Sequence, residues 1–497
     1  MNVRRLIATA SVGLLVAIPI GPAHAATAPS PGSLHYLLRD LGNITNAYGR
    51  ITGGQLGNGN YLPALVKETS SVTVTQLLTQ VANPTRLALT AGNLVPGWNV
   101  GNPLRAGWNG TRGVITPVAF TNRYGALLRG DVFTPRPGAK DPYTGKTLTA
   151  PYPGVVITPG SVQGSERMYW WLAQDLAERG YAVLAYDVQG QGQSETLPHQ
   201  TGSDLPFCNP LAAPEDEELL GCPGVPFQQE ANFVKGTEDA TDFFFSTPDD
   251  PYENVGAART KVDAFNPQWQ QFDRSPDPDT ATPGRTSRFA IIGHSLGAAA
   301  VSRVQGTDER VAAVVALDKL RGGGSVEPVV PALGIQSEYG FTVTPAALSS
   351  GSSLIPAPGN PRPPRERESG FDAWRAAGVD SMVIVPRAST HLEYTDIPLV
   401  LPASRHGQDL TSVYVQRWLD RYLKHEGVSA DPTGADPLLA TSFPYLEPTG
   451  KGQWKPITLN RQGGLSFYYC SAYAFTDRDG QTLRVDGDID DIGGCSQ

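Results

Sequence analysis

The amino-acid sequence predicts an α/β fold in which a mostly parallel sheet is covered by helices on both faces. Two observations lead to this prediction. Short apolar runs alternate with segments of helical periodicity over most of residues 114–427. The stretch "RFAIIGHSLGAAA" at residues 288–300 passes from a buried strand directly into an alanine-rich helix. The chain has 497 residues, of which 40% are hydrophobic and 18% are charged, so it contains ample material for a large core.

The first predicted elements are a strand pair and a strand–helix–strand unit. The runs "GVITPVAF" and "ALLRGDVFTP" flank "TNRYG", a pattern typical of two strands joined by a tight turn. The run "PGVVITPG" predicts a buried strand, and "GYAVLAYD" predicts the next one. Between them, Met168, Trp171, Leu172 and Leu176 have the spacing of one helix face. A helix around residues 233–245 follows.

The alternation continues through the second half of the chain. The predicted elements are the strand before Gly293, its helix, the strands "RVAAVVALD" and "VPALGIQSE", a helix near residues 371–377, the strand "SMVIVP" and a last helix. In the last helix, Val415, Trp418 and Tyr422 share a face. Parallel strands connected through helices in this way form a sheet that is buried on both sides.

These patterns divide the chain into four regions. The regions are a signal peptide at residues 1–25, an N-terminal extension at 26–110, the main α/β domain at 111–427 and a small β appendage at 428–497. Two insertions, near residues 195–228 and 248–286, interrupt the main domain before Ser295.

The N-terminal residues are typical of an exported protein. Arg4 and Arg5 precede an apolar run at residues 6–20, and the small-x-small sequence "AHA" ends at Ala25. We expect cleavage after Ala25 and a secreted, soluble protein. Because the apolar run is short and the first cysteine is Cys208, we expect no stable membrane anchor.

Four cysteines in an oxidising compartment favour disulfides. Three pairings are possible for four cysteines, and the short intervals favour Cys208 with Cys222 and Cys470 with Cys495. Neither pair has the CxxC spacing of a zinc site, so we predict no metal.

The charge of the chain argues against nucleic acid as a partner. The formal net charge is -9, and removal of residues 1–25, which contain two arginines and no acidic residue, leaves -11. The run "GQGQS" lacks the glycine fingerprint of a phosphate-binding loop, so we predict no cofactor. We expect the protein to be a monomer.

Ser295 is the predicted nucleophile. It lies between Gly293 and Gly297, where a strand turns at once into a helix. Such a bend forces its corner residue into a strained conformation, and small flanking residues let helix and strand cross closely. The first turn of the helix favours a developing negative charge beside the corner side chain.

A serine nucleophile needs a base, and His391 is the predicted one. It follows the strand "SMVIVP" through the short loop "RAST", so it emerges at the same sheet edge as Ser295. The other candidate, His406, lies at the predicted start of the last helix, where we interpret it as a solvated residue.

Two carboxylates compete to orient the histidine. Glu338 ends the strand immediately before the His391 strand, whereas Asp318 ends the preceding one. We favour Glu338 and keep Asp318 as the alternative.

Several motifs resemble those of the α/β-hydrolase superfamily. They are "TPGSVQGSERMYWWLAQDLAERGYAVLAYD", "YDVQGQGQS", "GHSLG" and "RASTHLEYTD". Within the superfamily the sequence is similar to secreted bacterial cutinase-like polyester hydrolases and related esterases and lipases, over about residues 114–427. The resemblance implies an α/β-hydrolase fold, an oxyanion hole made by the backbone N–H groups of Ser161 and Leu296, and an acid at Glu338. The sequence departs from these enzymes in having Glu in place of the usual Asp and in its two insertions.

From these residues we expect a secreted serine hydrolase that cleaves carboxylic esters through an acyl-enzyme intermediate. Its substrate would be a small-molecule, lipid or polymer ester. Two alternatives remain open: a secreted serine peptidase of the same fold, and a secreted binding protein that keeps the fold without catalysis.

Overall fold

The structure, a computed structural model, describes most of the chain. The described residues are 26–27, 33–50, 55–82, 100–161, 164–196, 228–257, 260–275, 288–324, 326–341, 343, 364–396, 405–424, 437–461, 463–476, 482–485 and 492–493. The predicted signal peptide, Cys208, Cys222 and Cys495 lie outside them, as does most of the first insertion. Cys470 is buried and disulfide-bonded.

The elements of the described residues alternate much as predicted. The strands are β1 (Ala26–Thr27), β2 (Gly113–Thr121), β3 (Leu127–Pro135), β4 (Gly154–Thr158), β5 (Ala182–Tyr186), β6 (Phe289–His294), β7 (Val311–Leu317), β8 (Ala332–Ile335), β9 (Ser381–Ile384), β10 (Ser442–Gly450), β11 (Gln453–Asn460), β12 (Ala472–Thr476), β13 (Thr482–Val485) and β14 (Ile492–Gly493). The α-helices are α1 (Leu34–Arg50), α2 (Tyr61–Ala82), α3 (Trp170–Glu178), α4 (Glu230–Phe245), α5 (Leu296–Val304), α6 (Arg365–Glu368), α7 (Phe371–Ala376) and α8 (Arg405–Leu423). Short 3₁₀ helices cover Pro103–Arg105, Glu166–Tyr169, Trp269–Gln271, His391–Tyr394 and Pro437–Leu439.

Ten strands form the main sheet in the order β2-β3-β5-β4-β6-β7-β8-β9-β12-β13. The strands from β5 through β4 and β6 to β9 are parallel, and β2, β3, β12 and β13 pair antiparallel at the two ends. This sheet with its flanking helices confirms the predicted α/β-hydrolase fold. The chain passes from β4 to β5 on one side and returns to β6 on the other. The carboxyl ends of β4 and β6 therefore meet at a topological switch point, where open α/β sheets bind ligands.

Both faces of the sheet are buried, as the apolar strands predicted. In β6, Ala290 and Ile292 contribute to one core cluster, while Phe289 and Ile291 contribute to the other. Side chains of α3 and α8 complete the first cluster, and side chains of α4, α5 and α7 complete the second. Because successive strand residues point to opposite faces, a strand covered on both sides must be apolar throughout.

The C-terminal segment, predicted as a small β appendage, contributes strands to the main sheet. β10 and β11 form a hairpin of their own, but β12 pairs antiparallel with β9, and β13 pairs with β12. Part of residues 428–497 therefore extends the main sheet and covers what would otherwise be an unpaired edge at β9.

Among the residues that the structure describes, no helix has the length and apolar character to cross a membrane.

Candidate active site

Ser295 occupies the bend between β6 and α5, as predicted. Its backbone has φ 57° and ψ -118°, a conformation that is costly for a residue with a side chain. The flanking glycines make the bend possible: a Cβ on Gly293 would lie 2.0 Å from the Gly297 carbonyl oxygen, and one on Gly297 would lie 2.4 Å from the Thr158 oxygen. The close crossing of α5 over β4 and β6 thus requires both glycines.

The structure brings Ser295, His391 and Asp318 into one hydrogen-bonded chain. Ser295 Oγ lies 3.0 Å from His391 Nε2, and His391 Nδ1 lies 2.7 Å from Asp318 Oδ2. Ser295 follows β6, Asp318 follows β7, and His391 follows β9 in a 3₁₀ helix. The three side chains meet because carboxyl ends of parallel strands share one edge of the sheet.

The partners of His391 define its tautomer. An ionised carboxylate can only accept, so Nδ1 carries the proton and donates it to Asp318. The unprotonated Nε2 then accepts a hydrogen bond from the Ser295 hydroxyl. This is the arrangement in which an imidazole removes the proton of a serine as the serine attacks a carbonyl group.

Asp318 is fixed as an ionised carboxylate. The Ser337 hydroxyl donates to Oδ2 at 2.6 Å, and the Ser337 N–H donates to Oδ1 at 3.1 Å. Burial acts to raise the pKa of Asp318, but the hydrogen bond and charge of His391, helped by Lys319 and Ser337, hold that pKa well below its ordinary value. Asp318 therefore stays negative and stabilises the charged imidazolium.

The preference for Glu338 as the orienting acid is wrong in this structure, because Glu338 does not contact His391. It is fully buried and accepts hydrogen bonds from Asn43 Nδ2 at 2.9 Å, from the Ala388 N–H at 2.5 Å and from the Ser466 hydroxyl at 2.6 Å. Ser337 bonds to Asp318, whereas the next residue, Glu338, bonds to α1 and to the turn before His391.

Burial raises the pKa of Glu338 to about 7, although the hydrogen bonds from Ser466 and Ala388 and the nearby Arg387 act to lower it. Glu338 thus titrates near neutral pH within a closed network.

A cavity of about 150 Å³ opens beside the Ser295 hydroxyl. It is lined by Gly160, Ser161, Tyr169, His294, Ser295, Phe341 and His391. The ring of Phe341 packs edge-on against the His391 imidazole, with centroids 5.0 Å apart. The cavity therefore places apolar and aromatic surface next to Ser295.

The predicted oxyanion donors belong to two segments near Ser295, the loop after β4 and the start of α5. Ser161 lines the cavity, and Leu296 begins α5, where the first N–H groups have no partner within the helix. The N–H of Ser295 donates to the Leu317 carbonyl and is not free to act. The assignment of the Ser161 and Leu296 N–H groups to an oxyanion hole stays a prediction.

The remaining sequence candidate is His406, the second residue of α8, as predicted for a residue at the start of the last helix. Its side chain lies outside the described side chains. Within the described ranges, no cluster of three or more His, Cys, Asp or Glu side chains could hold a metal ion.

Sequence reasoning missed three residues that border the site: Tyr169, His294 and Phe341. Tyr169 lies in the apolar pattern just before α3, and His294 directly precedes Ser295 in sequence. Burial, followed by the adjacent His391, lowers the pKa of His294 to about 3, so its imidazole is neutral. The position of His294 inside "GHSLG" was the available signal.

No protein-family model matches the sequence, and no curated protein matches it. Among solved structures, the fold is similar to a ferulic acid esterase from Streptomyces cinnamoneus, with a TM-score of 0.36 and 18% sequence identity over 65% of this chain and 92% of that one.

Proposed function

We propose that the protein is a serine hydrolase that cleaves carboxylic esters through an acyl-enzyme intermediate. One observation carries the proposal: Ser295, His391 and Asp318 form a continuous hydrogen-bonded chain, with the nucleophile on a strained bend at the edge of a cavity. The similarity of the quoted motifs to secreted bacterial cutinase-like polyester hydrolases and related esterases supports an ester as the substrate.

In the proposed reaction, Ser295 Oγ attacks the ester carbonyl carbon while its proton passes to His391 Nε2. Asp318 stabilises the imidazolium that forms. The oxygen of the tetrahedral intermediate accepts hydrogen bonds from the N–H groups of Ser161 and Leu296. When the intermediate collapses, the carbon–oxygen bond to the alcohol breaks and His391 protonates the leaving alcohol. A water molecule, deprotonated by His391, then attacks the acyl-enzyme and releases the carboxylic acid and free Ser295.

The cavity favours a compact acyl group. Its volume is about 150 Å³, and Phe341 and Tyr169 contribute aromatic surface to it. We therefore propose that esters with short or compact acyl groups are turned over faster than those with long chains, because a long chain extends beyond this volume.

Replacement of Ser295 tests the proposal directly. The substitution Ser295→Ala should abolish hydrolysis of short p-nitrophenyl esters and labelling by a fluorophosphonate, with little change in melting temperature. Ser302→Ala is a matched control, because Ser302 lies on the same helix but donates to the Ala298 carbonyl inside the core. Retained turnover by Ser295→Ala, or no labelling of the wild-type protein at neutral pH, would overturn the proposal. Aminoacyl anilides belong in the same assay, since a marked preference for them would instead indicate a peptidase.

We also propose that the protein is exported, because residues 1–25 have the pattern of a cleaved signal peptide. N-terminal sequencing of the secreted protein should begin at Ala26. Peptide mapping without reduction should recover Cys470 joined to Cys495 and Cys208 joined to Cys222. A mature chain that retains Met1, or a mixed pairing, would contradict these two assignments.

A further inference from the structure

The backbone of Gly160 is held at its N–H and at its carbonyl oxygen by two buried side chains. Its N–H donates to Tyr169 Oη at 2.9 Å, and its carbonyl oxygen accepts from Gln191 Nε2 at 2.9 Å. Tyr169 and Gln191 are each 1% exposed. Gln191 belongs to the motif "YDVQGQGQS", which the proposed reaction does not otherwise use.

Fixing this carbonyl also fixes the next N–H. The bond between Gly160 and Ser161 is planar, and in a trans peptide the C=O and the following N–H point in opposite directions. Because Gln191 draws the Gly160 carbonyl toward the protein interior, the Ser161 N–H points the other way. Ser161 lines the cavity beside Ser295, so this direction suits a donor to the oxyanion.

The orientation of the Gln191 amide is determined by its partners. Nε2 must face the Gly160 carbonyl, which only accepts, and Oε1 faces the N–H of Gly164 at 3.3 Å, which only donates. One side chain thus joins two positions of the loop that follows β4.

A second chain of hydrogen bonds runs from the same loop to the catalytic histidine. The His391 carbonyl lies 2.9 Å from His294 Nε2 and can only accept, so that nitrogen carries the proton of the neutral His294 ring. His294 Nδ1 therefore accepts from the Tyr169 hydroxyl at 2.7 Å, and Tyr169 Oη accepts from the Gly160 N–H. Gly160 is closely packed here, since a Cβ on it would lie 2.8 Å from His294 Nδ1.

We propose that Gln191, Tyr169 and His294 are positioning residues that hold the Ser161 N–H at a fixed place relative to Ser295 and His391. The inference rests on the proposed function, because it concerns the oxyanion hole of that same site. Gln191 sets the direction of the donor, and the Tyr169–His294 chain sets its distance from the backbone of His391. These three side chains act through the backbone of Gly160 and His391 and do not take part in the reaction themselves.

The test compares two glutamines of one turn. Gln189 is buried like Gln191, but its Nε2 donates to the Thr196 carbonyl and its Oε1 accepts from Asn122, away from the oxyanion loop. In both Gln191→Glu and Gln189→Glu, a carboxylate oxygen faces a carbonyl oxygen, so the structural cost is similar. Only Gln191→Glu should misdirect the Ser161 N–H.

The readout is the second-order rate of labelling by a fluorophosphonate. In that reaction a bond forms between Ser295 Oγ and phosphorus, fluoride leaves, the serine proton goes to His391, and the phosphoryl oxygen occupies the oxyanion hole. We expect Gln191→Glu to slow labelling, and kcat on p-nitrophenyl acetate, by about 10- to 100-fold, with KM within about twofold. Gln189→Glu should stay within about threefold of wild type in all three quantities.

Tyr169→Phe gives a second, independent measurement. It removes the acceptor of the Gly160 N–H without adding charge. Tyr186→Phe is its control, because the hydroxyl of buried Tyr186 bonds to Thr158, at 3.4 Å, and to Thr237, and not to Gly160. Affinity for a trifluoromethyl ketone, which forms an oxyanion on Ser295, should fall with kcat/KM in Tyr169→Phe and stay unchanged in Tyr186→Phe. If Gln191→Glu does not melt cooperatively, this pair decides the question.

The possible failures can be told apart. If the wild-type protein neither labels nor hydrolyses esters, the proposed function is wrong. If the wild type labels but both folded pairs of variants react at equal rates, the function stands and the positioning role is wrong. An increase in KM with kcat unchanged also contradicts the positioning role, because a misdirected oxyanion donor weakens binding of the transition state and should lower kcat.

Discussion

The substitution Asp318→Asn tests which carboxylate orients His391. Three donors face Asp318: His391 Nδ1–H and the Ser337 hydroxyl meet Oδ2, and the Ser337 N–H meets Oδ1. The amide introduced by Asp318→Asn would carry its NH2 group in place of either Oδ1 or Oδ2, so that group must face at least one of these donors. The backbone N–H of Ser337 cannot become an acceptor, whereas the hydroxyl can rotate and the imidazole can change tautomer. The NH2 group will therefore face His391.

The magnitude follows from the tautomer that this arrangement forces. When His391 Nδ1 accepts from the new amide, the proton resides on Nε2, and Nε2 can no longer accept from Ser295 Oγ. Forcing that tautomer in a serine triad lowers kcat by about 10⁴-fold. This corresponds to about 5 kcal/mol in the activation free energy. The change does not alter the shape of the site, so KM should change little.

Glu338→Gln is the matched control, since it makes the same chemical change at another buried carboxylate that does not touch His391. Both variants would be assayed for kcat on p-nitrophenyl acetate, after a thermal melt shows that each is folded. We expect Glu338→Gln to lose at most about tenfold, because it acts only through the turn before His391. A greater loss in Glu338→Gln than in Asp318→Asn would refute the reasoning and restore Glu338 as the orienting acid.

Three further predictions concern stability and the close packing beside Ser295. Burial raises the pKa of Glu338 from 4.5 to about 7, so protonation of Glu338 favours the folded state. The stabilisation is fully present below about pH 4.5 and is lost as the pH rises through about 7. The free energy of unfolding should fall by about 3 kcal/mol over this range. The melting temperature of the wild type should therefore fall between pH 5 and pH 8 by more than that of Glu338→Gln, and equal slopes would argue against it. Asn43→Ala removes one donor to Glu338 and the acceptor of Arg387 Nε, and should lower the free energy of unfolding by about 1–3 kcal/mol in chemical denaturation, a loss that a surface substitution would not produce. Gly297→Ala places a Cβ 2.4 Å from the Thr158 oxygen and should abolish fluorophosphonate labelling, while Gly236→Ala, whose Cβ would meet nothing closer than 3.4 Å, should label normally.

Much of the fold was predictable because local patterns determine it. The apolar run before Gly293, the helical spacing of Trp418 and Tyr422, and the glycines around Ser295 each indicate an element whose residues are close in sequence. The order of strand, helix and loop then carries His391 to the same edge as Ser295. These inferences required no knowledge of long-range contacts.

The choice of acid could not be made on the same basis. Asp318 and Glu338 both follow parallel strands, and the decision depends on which way each side chain points after its strand ends. In the structure Ser337 turns toward Asp318, so Glu338 faces the opposite side. A shift of one residue in the segment that follows β8 would reverse that result, and the sequence pattern does not record such a shift. The pairing of β12 with β9 was hidden for a related reason, because its partner lies far away in sequence.

Glu338 nevertheless helps to position His391, because it holds the backbone of the turn before that histidine. Its carboxylate joins Asn43 of α1, the N–H of Ala388 and the hydroxyl of Ser466, which come from three distant parts of the chain. Ala388 has φ 56°, a left-handed conformation that is unfavourable for alanine unless its surroundings hold it in place.

The adjoining backbone is closed by further hydrogen bonds. The Glu338 N–H donates to Ser389 Oγ at 3.0 Å, and the His391 N–H donates to the Gly340 carbonyl at 2.7 Å. Asp318 thus fixes the imidazole, while the segment around Glu338 fixes the backbone that carries it. Since Asn43 and Ser466 lie outside residues 111–427, the N-terminal extension and the C-terminal segment both supply groups that hold the turn before His391.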